Sequence, residues 1–141
     1  MSPEPFTIGA LAVSALMAVM QGVSSYQANK QNAAAAKAEG KQAEAAGLAN
    51  AARQRQIIAA QQSQLTADVG ASGTLMSGSP MEVYLANARD GEITAQDEIY
   101  KGRLTALGKY NQARIYKQQG TSALIGGIGG AASTLGSAKL K

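Results

Sequence analysis

The residues in this chain most densely placed to do chemistry are acidic. Glu82, Asp90, Glu92, Asp97 and Glu98 share one stretch broken only by Arg89. Such carboxylates can work as a general acid and base, or hold a divalent cation. A calcium loop needs oxygen ligands at alternating positions around a central glycine, and this stretch does not supply them. Asp97 and Glu98 are adjacent, so on a helix they project in different directions. Ion pairing is the simpler use for them, for example Asp97 with Lys101 at i, i+4. Two acids for glycoside hydrolysis would also need a substrate cleft, which this composition does not build. The chain has no His and no Cys. That removes the commonest general base and the thiolates. The glycines near the C-terminus follow no predicted strand, so they are not a phosphate cradle. The sequence points to a non-enzymatic protein with no catalytic, cofactor or metal residues.

A second group is basic and aromatic. The net charge is +4, and no acid follows Glu98. Tyr100, Tyr110 and Tyr116 interleave with Lys101, Arg103, Lys109, Arg114 and Lys117. Such a surface can stack on bases and contact phosphates, which allows non-specific DNA binding. It can also meet an anionic membrane surface. The plain alternative is a solvated helix face.

These residues need elements to position them, and the composition restricts the choice. The chain has 141 residues, no Trp and a single Phe, Phe6. The hydrophobic fraction is 45%, but much of it is Ala. Burial gains roughly 25 cal/mol per Å², so Ala contributes little. Ala, Gln, Lys and Glu favour helix. The expected fold class is all-α: two long helices joined by a Gly-rich turn as a helical hairpin, with an apolar N-terminal and a Gly-rich C-terminal segment. Long helices with so thin a core need partners, and homo-oligomerisation is a standard remedy.

Five segments follow. Residues 1–25 form an apolar N-terminal segment carrying Phe6, Ile8, Leu11, Val13, Leu16 and Val19. With Val23, its large apolar residues favour membrane insertion by roughly 3 kcal/mol in sum, and its Gly, Ser, Thr and Gln offset much of that. The MSPEP start lacks the basic region of a signal peptide. Residues 26–69 are an Ala/Gln-rich helix, roughly 70 Å long if it begins at Gly22. Residues 70–79 are a Gly/Ser turn. Residues 80–119 form a second helix of roughly 60 Å. Residues 120–141 are a charge-poor tail with Leu124, Ile125, Ile128 and Leu135 and a GxxxG spacing at Gly126 and Gly130. The large apolar residues of the two ends are candidate membrane or protein-interface positions.

The clearest local signal is Ser79-Pro80-Met81-Glu82. It reads as a capping box, with Ser79 as N-cap, Pro80 at the first helical position and Glu82 reaching back. Beyond it runs a heptad-like seam. Leu85, Glu92, Ile99, Ala106 and Ala113 hold one position. Met81, Ala88, Ala95, Gly102 and Lys109 hold the other. Leu85, Ala88, Ala95, Ile99, Gly102 and Ala106 are therefore candidate helix–helix packing residues. Ile93, Tyr100 and Leu107 form another seven-spaced row, which suggests more than one neighbour.

The stretch from GASGTLMSGSPMEVYLANARDGEITAQDEIYKGRLTALGKYNQARIYKQQG to the tail ALIGGIGGAASTLGSA, preceded by the polar Ala/Gln/Lys helix, resembles the internal virion proteins of tailed phages. The nearest type is the smallest DNA-ejection protein of short-tailed phages. The resemblance covers most of the chain from Tyr26 and is carried by SGSP and by Val83, Asn87, Ala88, Arg89, Gly91 and Glu92. It implies a virion protein held near the portal or in a core within the head, in company with portal, tail or other ejection proteins. It further implies ejection with the genome and help in building an envelope-spanning DNA conduit in the host. Two rivals remain open: a structural virion part that stays on the portal, tail or capsid, and a small cellular envelope protein with a signal anchor.

Overall fold

The structure is a computed structural model that describes the backbone of residues 5–138 and the side chains of 13–133. Two helices account for nearly all of it: α1 is Pro5–Ala71 and α2 is Ser79–Ala138. They pack antiparallel as a hairpin, as the composition predicts. Both helices run further at their outer ends than the sequence boundaries suggest. The apolar N-terminal segment is continuous with α1, and the Gly-rich tail is continuous with α2.

Glycine controls the turn. Among the described residues, Gly73 and Gly78 have positive φ, at 70° and 67°. This left-handed region is costly for a residue with a Cβ. Gly73 therefore stops α1, and its amide reaches back to the Gly70 carbonyl at 3.2 Å. The Ser72 hydroxyl donates to the Val69 carbonyl at 2.7 Å, satisfying one of the orphan acceptors at the helix end. At the start of α2 the Glu82 amide donates to the Gly78 carbonyl at 3.0 Å. Gly78 thus takes the N-cap place, one residue earlier than the expected cap. Ser79 becomes the first helical residue, and the expected Ser79–Glu82 pair does not form. Pro80 still lies in the first turn, where it withholds no needed N–H.

The hairpin divides into two compact units, one joining residues up to Ala38 with those from Lys109, the other spanning Glu39–Gly108. In the second unit the two backbones meet at glycine. A methyl group on Gly47 would lie 2.9 Å from the Glu98 carbonyl oxygen and 3.0 Å from the Gly102 Cα. Ile58 fills the space over Gly91. From Gly47 to Ile58 the partner retreats from Gly102 to Gly91, an equal step, so the register holds. Ala51 and Ala95 are buried between these points, and Ala106 is buried one turn beyond Gly102.

In the first unit the same kind of contact recurs. A methyl on Gly127 would lie 2.9 Å from the Ala18 carbonyl oxygen and 3.1 Å from the Gly22 Cα. Gly120 faces Asn29. Ala33, Ala36 and Ala113 form the core cluster, with Tyr116 packed against it. Every buried hydrophobic residue among those described is an alanine.

Substitutions at two glycines of α2 should have opposite signs. Gly102→Val forces side-chain atoms against the Ala43 carbonyl, 2.9 Å from the Cβ site. Overpacking of this kind costs about 1–3 kcal/mol. Gly108 faces open space, so Gly108→Ala should raise stability by up to about 1 kcal/mol through helix propensity. Thermal unfolding followed by circular dichroism should show a lower Tm for the first variant and a higher one for the second.

Candidate functional site

The seam inferred for α2 matches the buried side of that helix from Ala88 onward. Ala95 and Ala106 are fully buried, and Ala88, Ile99 and Gly102 are half-buried. Leu85 is a correction: it is 58% exposed, and Tyr84 and Gly91 take the inner positions there. The cause is geometric. A straight helix drifts by roughly 20° per heptad against a strict seven-residue repeat. Extending the row backward from Glu92 therefore carries Leu85 out of the seam. The matching seam on α1 was not inferred from sequence. Its signal is present at seven-residue spacing, in Ala33, Gly40 and Gly47.

Large apolar residues lie on the outside. In the second unit, Ile93, Tyr100, Leu104 and Leu107 are 50–62% exposed. Their i, i+7, i+11, i+14 spacing makes one stripe, roughly half a turn from Ala95 and Ala106. Leu104 joins the three residues that the sequence placed in this row. In the first unit, Val13, Leu16, Met17, Met20, Val23, Ile125 and Ile128 are also exposed. Val19 and Leu124 are half-buried. Phe6, Ile8, Leu11 and Leu135 lie outside the described side chains. Among the described residues, no helix is long and apolar enough to cross a membrane.

Two acids of the stretch, Glu92 and Glu98, form ion pairs. Arg55 on α1 grips Glu92 on α2 bidentately, with Nε to Oε2 at 2.9 Å and Nη2 to Oε1 at 2.6 Å. Hydrogen bonds from Arg55, then Gln96, hold the Glu92 carboxyl below the usual carboxylate range. Lys101 bonds Glu98 at 2.9 Å, in place of the expected Asp97 pair. That contact lowers the Glu98 pKa, with a smaller contribution from Asn50, whose amide lies 3.5 Å away. Both pairs are solvent-exposed and stabilise little; only the Arg55–Glu92 pair spans the two helices and marks their register. Among the described residues, no cluster of acidic groups is arranged to hold a metal ion.

Charge is sorted between the two units. The carboxylates of the described residues all fall in Glu39–Gly108. The described residues of the first unit carry Lys30, Lys37, Lys109, Arg114 and Lys117 and no acid. Within that unit, Tyr26 and Lys30 from α1 meet Tyr116, Lys117 and Thr121 from α2 around Gly120, lining a cleft of about 260 Å³. A Cβ on Gly120 would sit 3.1 Å from the Asn29 Cβ and 3.4 Å from the Tyr26 ring. The glycine lets the two helices close beneath this cleft. The Tyr116 hydroxyl accepts a hydrogen bond from the Gln112 amide at 3.2 Å.

Fold and surface together define an all-α hairpin held by small residues, with apolar and basic faces turned outward. The chain matches no protein-family model, and no curated protein or solved structure is significantly similar to it.

Two outcomes are expected. The Glu92 carboxyl is lowered on folding, so its contribution to stability is present above the ordinary carboxylate pKa. That contribution is lost as pH falls through the depressed folded value. The Tm of the native chain should drop on acidification more steeply than that of Glu92→Gln, and the two curves should converge at low pH. The outer stripe should drive self-association. In sedimentation at rising concentration the native chain should form larger species, and Tyr100→Glu/Leu107→Glu should shift it toward monomer with its helicity intact.

Proposed function

We propose that this chain is a tailed-phage virion protein that leaves the particle with the genome and helps build an envelope-spanning DNA conduit in the host. It works as a homo-oligomer alongside portal, tail or other ejection proteins. The observation that carries this reading is the inverted burial. Alanine and glycine fill the hairpin seam, while Leu, Ile, Met and Tyr face outward. A protein with such a surface reaches its working state by association.

The resemblance of most of the chain from Tyr26 onward to ejection proteins supplies the setting for that association. The unit that contains both chain ends is charge-free over 5–29 and 118–138. Neither stretch is apolar enough to span a bilayer alone, among the described residues. This suits a protein that is first held in a particle and enters an envelope later as several copies, so that polar and small residues are shielded between helices.

The same marginal apolarity favours a second reading, a structural part that stays on the portal, tail or capsid with its ends buried against protein. Comparing the chain's abundance in full virions with that in particles after genome release separates the two. Loss from the emptied particle, with recovery in the host envelope fraction, is the expected result. Retention in the emptied particle would overturn the ejection role and favour the structural one.

A further inference from the structure

We infer that the Tyr26–Lys30–Tyr116–Lys117 cleft is a binding site for the phosphate headgroups of an anionic membrane. It would act as a collar that sets how deep the apolar end of the first unit enters. The inference rests on the membrane-contact part of the function proposed above and adds a recognition site to it.

Three observations converge on it. The first is placement along each helix. On α1 the charge-free stretch ends at Asn29, and Lys30 follows at once. On α2 Lys117 is the last charge before the charge-free 118–138. Antiparallel pairing within this unit brings these two borders together, because Gly120 packs on Tyr26 and Asn29. The border is therefore shared by both helices, and the cleft lies on it.

The second is chemistry. Tyrosine is enriched at membrane–water interfaces, where the ring sits at headgroup level and the hydroxyl stays wet. Tyr26 is 38% exposed and Tyr116 is half-buried. Lysine stems can lie along apolar surface while the ammonium reaches phosphate. Two ammonium groups at one cleft suit a phosphodiester oxygen cluster, while the Thr121 hydroxyl beside them is engaged in donating to the Lys117 carbonyl at 3.0 Å.

The third is the segregation of charge. The described residues of this unit present five cations and no carboxylate. Beyond the border, Val13, Leu16, Met17, Met20, Ile125 and Ile128 are exposed and uncharged. The 118–138 stretch covers about 30 Å as helix, close to the hydrocarbon thickness of a bilayer. A basic, tyrosine-bearing collar below an apolar tip fits a membrane surface better than a nucleic acid. A nucleic acid would find no use for the exposed Leu, Ile and Met.

The test is flotation of the full chain with two kinds of vesicle: phosphatidylcholine alone, and phosphatidylcholine mixed with phosphatidylglycerol. The native chain should prefer the anionic vesicles, and salt should weaken that preference. Each lysine near an anionic surface is worth about fivefold in partitioning. Lys30→Gln/Lys117→Gln should therefore bind anionic vesicles roughly thirtyfold more weakly, with an unchanged Tm. Lys41→Gln/Arg53→Gln, in the other unit, should bind like the native chain. Equal binding to both vesicles, or an unaffected Lys30/Lys117 variant, would overturn the collar and leave membrane contact standing. Failure of the native chain to float with either vesicle would overturn membrane contact itself. If the Lys30/Lys117 variant kept vesicle binding but lost binding to an oligonucleotide, the cleft would be a nucleic-acid site and the collar would be overturned.

Discussion

Two helices can approach until their backbones touch only where neither carries a side chain, and this constraint orders the rest of the molecule. Gly47 against Gly102 meets it in one unit, and Gly22 against Gly127 meets it in the other. Alanines fill the seam between such points. Close approach gains dispersion contacts along the seam, but it buries little hydrophobic area per residue. The hairpin is thus well specified in register and poorly supplied with a core.

That choice dictates the outer surface. A helix that devotes its inner face to Ala and Gly must place its large apolar residues elsewhere. On α2 they form the stripe of Ile93, Tyr100, Leu104 and Leu107. In the unit with the chain ends they gather beyond Tyr26 and Tyr116. The polar pairs follow the same logic. Arg55 and Glu92 reach across the seam from its edge, because no room exists inside it for charged side chains. Of the acids in the 82–98 stretch, Glu92 pairs across the seam and Glu98 pairs along α2 with Lys101.

The sorting of charge gives the two units different characters. All described carboxylates belong to the unit around the turn, and the described charged residues of the unit at the chain ends are all basic. The basic and apolar unit is suited to a surface that is anionic outside and apolar within. The functional reading depends on this asymmetry as much as on the apolar ends.

The sequence by itself determined the helical class, the turn and most of the seam on α2. Helix-forming Ala, Gln, Lys and Glu left no other element available, and Gly73 and Gly78 mark a place where only glycine suits the backbone. The heptad row of Ala88, Ala95 and Gly102 was legible because small residues recur every seven. Leu85 was misplaced because helical drift accumulates along a strict repeat, and the cap was displaced because a glycine carbonyl reached the Glu82 amide first. What only the tertiary structure decided is which residues of distant sequence meet. Register is fixed by backbone contacts between residues more than fifty positions apart, and no local pattern encodes them. The Gly-rich tail is helical because α1 packs against it, although its propensity argues otherwise. Lys30 and Lys117 share a cleft for the same reason: a hairpin fold brings together two charge borders that the sequence keeps far apart.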